Sequence, residues 1–337
     1  MKEVVAHRLA RSLSPRRARN VALAAGSYVA SVVSRRVHLW SVPAVLMVEP
    51  TNRCNLRCPQ CHTGSGRIGR PYARLPLAHF RTLIDELGDR LVYLLLFNQG
   101  EPFLHPQLPD FIAYARRRSI YVTTSTNGHF FDNQEVVERT VISGLDTVVV
   151  SLDGTDEKTY ERYRCGGDFR RVTQGIRNVV AARTRLGSRA PLVFIQFLVM
   201  RHNEHQVESM RSLAKGLGAD RLLLKTAQVD TCSEAVEFLP RRERFRRYRL
   251  EDGRLVVKGN RHLPCRRPWI SAVVNSDGRV SPCCFDKDGR YAMGSIAEAP
   301  FRAIWRSPQY NDFRQRILNG EQIDICTNCT EGTRVFV

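Results

Sequence analysis

Three cysteines fall within eight residues of the stretch EPTNRCNLRCPQCHTG, which runs from Glu49 to Gly64. Cys54, Cys58 and Cys61 follow the spacing C-x3-C-x2-C, and the next cysteine is Cys165. Thiolates are soft ligands, suited to zinc, copper(I) or iron–sulfur clusters. A structural zinc site is closed by four ligands. His62 is a poor candidate for the fourth, because adjacent side chains usually point apart and Cys61 is already used. A four-iron cluster offers another solution: three irons take cysteine, and the fourth stays open to a substrate or cofactor. The missing ligand is then a feature of the site.

The surrounding chain alternates regularly. Apolar runs at 44–50, 91–100, 120–128, 145–154, 191–200 and 221–229 read as parallel strands covered on both faces. Helical patterns at 77–88, 108–118, 133–143, 171–186 and 204–217 lie between them. The expected fold is α/β, a partial parallel (β/α)6 TIM-like barrel over residues 43–230, with too few strands for the closed eight-stranded form. Polar residues collect at the C-terminal ends of these strands: Glu49 and Thr51, Asn98 to Glu101, Ser125 and Asn127, Ser151 and Asp153, then Gln196 and Lys225. Active sites of parallel barrels are built at that end, and the three-cysteine loop follows the first strand to the same place.

Beyond residue 230 the alternation stops and cysteine, glycine and proline become frequent. Residues 231–337 read as a small Cys-rich domain held together by metal. It contains Cys265, Cys283, Cys284, Cys326 and Cys329, and a hairpin centred on Asp277-Gly278. Taken alone, the pair Cys326 and Cys329 reads slightly better as zinc ligands, and beside the N-terminal triplet as cluster ligands. Cys165 and Cys232 read as small buried residues.

The C-x3-C-x2-C loop after a barrel's first strand resembles the signature of the radical S-adenosylmethionine (SAM) superfamily. In that family a [4Fe-4S] cluster chelates S-adenosylmethionine through its open iron and cleaves it reductively, giving a 5′-deoxyadenosyl radical that takes hydrogen from the substrate. The resemblance assigns Cys54, Cys58 and Cys61 to this cluster. NQGEP (98–102) is similar to the family's GGE-like motif, with Gly100 and Glu101 in the roles that hold the methionine amino group and Gln99 in place of the first glycine. Ser125 and Asn127 in STNG, and Ser151 and Asp153 in SLDG, fall where the family contacts the ribose and the methionine carboxylate. Arg164 resembles an arginine that meets that carboxylate, and the strand through Val199 would pass near the adenine. Gln60 stands where the family usually carries an aromatic residue. The C-terminal region is similar to a short SPASM domain, as in deoxyinosamine dehydrogenases. The resemblance implies a second, auxiliary [4Fe-4S] cluster on Cys265, Cys283, Cys326 and Cys329, with Cys283 preferred to Cys284 on spacing.

Together these imply hydrogen abstraction followed by loss of a second electron to the auxiliary cluster. The leading expectation is dehydrogenation of a sugar, cyclitol or other small molecule. The alternative is a peptide maturase that forms thioether or carbon–carbon bonds. Relatives of that kind often carry an N-terminal recognition domain, and the segment 1–42 is too short for one. Asp153 and Lys225 are weak candidates for a catalytic acid or base. A reductase with flavodoxin or ferredoxin is the expected electron donor.

Charge supplies the competing reading. The chain has 337 residues and a formal charge of +19, and residues 1–41 hold eight Lys or Arg against Glu3 alone. Six arginines crowd RRERFRRYR at 241–249. Such clusters attract phosphates, nucleic acid or anionic lipid. With two cysteine groups they allow a zinc-containing nucleic-acid binder, or a radical enzyme acting on RNA, but no nucleic-acid-binding module is recognisable. The segment NVALAAGSYVASVVS at 20–34 is too diluted by serine for a signal peptide. It reads as an amphipathic helix docked on the barrel, with peripheral membrane contact as the lesser reading. Ten cysteines without an export signal point to reduced thiols and a cytoplasmic protein.

Overall fold

A computed structural model of the chain describes residues 9–10, 12–252, 254–258 and 264–329. Six parallel strands form in the expected places: β1 (Val45–Val48), β2 (Tyr93–Leu95), β3 (Tyr121–Thr126), β4 (Thr147–Ser151), β5 (Leu192–Val199) and β6 (Arg221–Thr226). Each pairs with the next in chain order.

A long N-terminal helix, α1 (Pro15–Ser34), precedes the barrel. Between the strands come α2 (Leu77–Leu87), α3 (Leu108–Arg117), α4 (Gln134–Ile142), α5 (Glu157–Tyr163), α6 (Phe169–Arg185) and α7 (Val207–Gly216). Side chains alternate along each strand. Val148, Val150, Val193 and Ile195 face outward into the main core with Phe80, Phe111, Ile176 and Met210 from the helices. The rings of Phe80 and Phe111 stack with centroids 4.3 Å apart. The opposite face carries a small separate cluster of Val149, Leu192 and Phe194. It also carries polar rungs: Tyr93 donates to Thr123 at 3.0 Å, and Tyr121 lies 2.7 Å from Thr147 Oγ1.

The sheet does not stop at residue 230. After α8 (Cys232–Phe238), the hairpin β7 (Tyr248–Glu251) and β8 (Arg254–Val257), and α9 (Arg267–Ile270), the chain returns to the barrel. There β9 (Ser271–Val274) pairs parallel with β1, and β10 (Val280–Ser281) pairs antiparallel with β9. The β9–β10 turn is the expected one, with Gly278 at φ +84 and its N–H bonded to Asn275 O at 2.9 Å. A bare β1 would present a row of unpaired backbone groups. The cysteine-rich region therefore supplies two strands to the barrel's own sheet. It ends in α10 (Phe301–Trp305), α11 (Pro308–Leu318) and α12 (Asp324–Thr327).

Helix α1 docks on the protein by its polar side. Its buried positions are Arg17, Asn20, Ala24, Ser27 and Ser31. Asn20 Nδ2 donates to Val42 O at 3.0 Å, and Arg17 donates to Gly88 O at 2.8 Å and Ser119 O at 2.9 Å. Trp269 Nε1 donates to Ser31 Oγ at 3.1 Å. Ser27 and Ser31, which dilute the apolar segment, thus belong to its inward face. Among the described residues no helix is long and apolar enough to cross a membrane.

Candidate active site

The cysteine loop folds back on itself beyond the end of β1. Cys61 N–H donates to Cys58 O at 3.2 Å, and a Cβ at Gly64 would lie 2.7 Å from Cys58 N, so the return path leaves no room for a side chain. Cys54, Cys58 and Cys61 pack with Leu56, Tyr163, Leu198 and Met200. Burial pushes the Cys54 thiol up to about 12 and the Cys58 thiol up as well, and the neighbouring cysteines add to both effects. Free thiolates would be costly here. Three such donors, soft and mutually close, fit a metal cluster whose charge offsets theirs. Among the described residues no group of three or more His, Cys, Asp or Glu is set for a single metal ion.

The loop after β2 is fused to this one. Gly100 has φ +78, and a Cβ there would lie 2.5 Å from Thr51 O and 2.6 Å from Arg53 O. Glu101 N–H donates to Arg53 O at 2.6 Å. The Glu101 carboxyl is buried and accepts from Thr126 Oγ1 at 2.7 Å, Asn127 N at 2.7 Å and Phe103 N at 3.1 Å. A carboxylate offers about four acceptor positions, so one remains, on Oε2. Burial pushes this carboxyl up to about 7, against the pull of its three donors. Asn127 also donates to Asn55 Oδ1 at 2.8 Å, tying the end of β3 to the cysteine loop.

Asp153 and Arg164 meet beside Cys58. Arg164 Nε donates to Asp153 Oδ2 at 2.6 Å, and its Nη1 lies 3.8 Å from Cys58 Sγ. Burial opposes the Arg164 charge, but Asp153 and the Cys58 thiol outweigh it and hold the guanidinium protonated more firmly than usual. The other Asp153 oxygen accepts Leu198 N–H at 2.6 Å. Asp153 has no exposed surface and both its oxygens are committed, the arrangement of a group that orients Arg164.

The remaining expected residues divide. Ser151 is buried and pairs with Gln196 on β5, while half-buried Ser125 pairs with Val149. Alternation places Ser125, Ser151, Gln196 and Leu198 on the inner face. Val199 therefore turns outward into the helix-covered core, and Leu198 is the β5 side chain packed with the thiols. Lys225 is exposed on β6, and among the described residues no carboxylate pairs with it. Cys232 is exposed, not buried as expected. In the 241–249 stretch the interleaved aromatics Phe245 and Tyr248 are buried, which removes them as a stacking platform for bases.

The C-terminal cysteines gather at the same mouth. Burial raises the Cys283 thiol strongly, and Cys284, Cys326 and Cys265 each raise it further, so these four sulfurs lie together. Cys329 N–H bonds to Cys326 O at 3.3 Å, and its thiol is buried. The turn between them is pinned to the barrel, since Asn328 donates to Val229 O and Asp230 Oδ1, each at 2.9 Å. Between the two cysteine groups lies a cavity of about 390 Å³ walled by His62, Asp230, Lys287, Asp288, Asp324 and Asn328, among others. Lys287 Nζ sits 3.2 Å from His62 Nδ1, and burial lowers the pKa of both groups.

Sequence reasoning missed Lys287 and also Arg70, which binds Glu49 through both terminal nitrogens at 2.9 Å. Neither stands in a motif. The position of Glu49 at the end of a strand is the one signal that a buried carboxylate there needs a cation.

Residues 48–214 match the radical SAM superfamily, and residues 265–330 match an iron–sulfur cluster-binding domain, SPASM. A PqqA peptide cyclase of Gluconobacter oxydans is 29% identical over 81% of this chain and 80% of its own length. A mycofactocin maturase MftC of Mycobacterium ulcerans is 25% identical over 85% of this chain and 81% of its own. Among solved structures, Streptococcus suis SuiB bound to S-adenosylmethionine superposes with a TM-score of 0.63 at 15% identity, over 92% of this chain and 77% of that one. BtrN in complex with AdoMet and 2-DOIA gives 0.53 at 18% identity, over 86% and 94%. At those identities the likeness is one of fold. The chain belongs to the radical SAM superfamily and carries a C-terminal SPASM domain, and with them it takes a [4Fe-4S] cluster, S-adenosylmethionine and an auxiliary iron–sulfur cluster.

Proposed function

We propose that the chain is a peptide-modifying radical SAM enzyme, a maturase that forms a bond within a peptide substrate by removing hydrogen. The observation that carries this reading is the cavity between the two cysteine groups, open to the cysteine loop through His62 and to the auxiliary segment through Lys287 and Asn328. Its polar wall, with Asp230, Asp288 and Asp324 beside Lys287, suits amide and charged side-chain groups of a peptide. The kinship with a PqqA peptide cyclase and a mycofactocin maturase over four fifths of the chain supports it. So does the fold likeness to SuiB, which has been crystallised with its precursor peptide SuiA. The expectation of sugar or cyclitol dehydrogenation has less behind it.

When bound, the cluster and S-adenosylmethionine supply a carbon-centred radical that takes a hydrogen atom from the substrate. This chain's own residues bind and orient. Cys54, Cys58 and Cys61 hold the first cluster. Cys265, Cys283, Cys326 and Cys329 hold the second. The free acceptor position on Glu101 suits the ammonium of the cofactor's methionine, and Gly100 lets the backbone approach. Arg164, steadied by Asp153, suits the methionine carboxylate. Ser125, Asn127 and Ser151 line the inner face for the ribose, and the β5 backbone at Val199 borders the adenine. Leu198, Tyr163 and Met200 exclude water from the thiols.

The test incubates anaerobically reconstituted protein with S-adenosylmethionine, dithionite and short peptides encoded beside its gene. Loss of two hydrogens from one peptide, with 5′-deoxyadenosine released, supports the reading. Oxidation of an aminocyclitol with every peptide left intact would restore the small-molecule dehydrogenase.

A further inference from the structure

The outward side of α1 has no role in the radical chemistry. Its inward side is polar, and its solvent side is apolar. Ala22, Ala25, Val29 and Val33 repeat at helical spacing and are exposed, with Val29 at 58% and Val33 at 80%. Trp40, 51% exposed, lies against the same helix, its backbone N–H donating to Ser27 Oγ at 2.9 Å and its ring close over Gly26. A water-soluble helix normally points its apolar stripe at the core. This one points away.

Beside the stripe opens a second cavity, of about 290 Å³, walled by Arg19, Leu23, Trp40, Arg90, Arg302 and Arg306. No acidic side chain lines it. Arg302 Nε lies 4.0 Å from Glu86 Oε1 but makes no hydrogen bond, although it is buried. Among the described residues no carboxylate pairs with Arg19, Arg90 or Arg306. Four cationic groups around one hollow, one with an unspent donor, are complementary to a phosphate. Arg35 and Arg36 extend the positive rim at the far end of α1. The hollow adjoins the residues leading into β1 and β2, at the end of the barrel opposite the cysteine loop.

We propose that α1 and this arginine hollow form a docking surface for an anionic phospholipid bilayer. The stripe and Trp40 enter the interface while the hollow takes a headgroup phosphate. An apolar helical face, a tryptophan at its edge and flanking arginines are the composition that lies in such an interface. Each arginine near an anionic leaflet adds to the attraction. The opposite end of the barrel, with both cysteine groups, stays open to substrate.

Flotation of the full reconstituted protein with vesicles tests this. Phosphatidylcholine vesicles containing phosphatidylglycerol should bind it at least about tenfold better than phosphatidylcholine alone. Val29→Asp/Val33→Asp and Arg90→Glu/Arg306→Glu should each reduce that binding about tenfold or more, with iron content and S-adenosylmethionine cleavage kept. Vesicle binding that the valine pair leaves unchanged would overturn the proposal, as would no vesicle binding at all. Inorganic phosphate binding to the hollow in solution, without vesicle binding, would identify a soluble-anion site instead. Self-association lost in the valine pair, again without vesicle binding, would make the stripe a contact between copies of this chain.

Discussion

Arg70 holds Glu49 through two hydrogen bonds of 2.9 Å, and neither side chain reaches solvent appreciably. The same carboxylate accepts from Gln99 N at 3.0 Å, Ser276 N at 3.1 Å and Ser276 Oγ at 2.8 Å, while Arg70 Nε donates to Lys287 O at 2.8 Å. One ion pair thereby joins the end of β1, the loop after β2, the β9–β10 turn and the wall of the cavity between the cysteine groups.

Removing one partner of such a pair leaves a buried charge without its counterion, at a cost of about 3–5 kcal/mol. Arg70→Met should lower the melting temperature of the metal-free protein by several degrees or more. Glu49→Gln/Arg70→Met should recover much of the loss, because no net charge stays buried. Thermal unfolding followed by circular dichroism measures both. Equal destabilisation in the single and double variants would show that Arg70 acts by packing alone.

Asp153 is spent on Arg164 and Leu198, so its replacement should disturb cofactor position and leave proton removal alone. Asp153→Asn keeps the shape but loses the charge that steadies the guanidinium. Affinity for S-adenosylmethionine should fall about tenfold, worth about 1.4 kcal/mol, with iron content unchanged. Equilibrium binding beside an iron assay separates the two. Unaltered affinity with abolished product would return Asp153 to the role of a base.

The architecture was legible because it rests on patterns that repeat. Continuous apolar runs gave the six strands, and strand ends carrying Glu49, Glu101, Asn127 and Asp153 marked the mouth. What escaped were relations across long distances. Arg70 lies in no motif, and its meaning depends on a fold that brings it to Glu49. Periodicity alone could not tell that β9 would close on β1, since a four-residue apolar stretch is compatible with any small sheet. The strand through Val199 was legible but the facing of its side chains was not: neighbouring residues on a strand face opposite ways, so Leu198 packs with the thiols while the Val199 side chain enters the core. In α1, Ser27 and Ser31, which read as dilution, are part of the side packed on the barrel.

Cys283 and Cys284 are adjacent, and the ligand set proposed for the auxiliary cluster takes Cys283. Burial raises the Cys283 thiol strongly and Cys284, Cys326 and Cys265 raise it further, whereas Cys284 Sγ takes a hydrogen bond from Arg267 Nη1 at 3.7 Å. Cys283→Ser should therefore lose about four irons per chain, the content of one cluster. Cys284→Ser should keep them. Colorimetric iron and sulfide determination on reconstituted protein decides between the two, and the reverse pattern would make Cys284 the ligand.

Glu101 gives the metal-free protein a pH dependence of definite sign. Its carboxyl titrates near 7 in the fold, because burial disfavours the anion, against 4.5 for an unperturbed glutamate. Below pH 4.5 the group is protonated in both folded and unfolded chains and contributes no difference. Between 4.5 and 7 the folded chain binds the proton more tightly, so stability falls as pH rises, and above 7 the loss is complete at about 3 kcal/mol. Paired carboxylates elsewhere act in the opposite sense, so total stability is the wrong quantity to follow. The difference between wild type and Glu101→Gln isolates this group, since an amide's altered hydrogen bonds cost the same at every pH. Urea unfolding of the two proteins from pH 4.5 to 8 should show wild type losing ground to the variant across that window, then running parallel to it. A difference that stays flat throughout would mean that the Thr126, Asn127 and Phe103 donors, not burial, set the charge of this carboxylate.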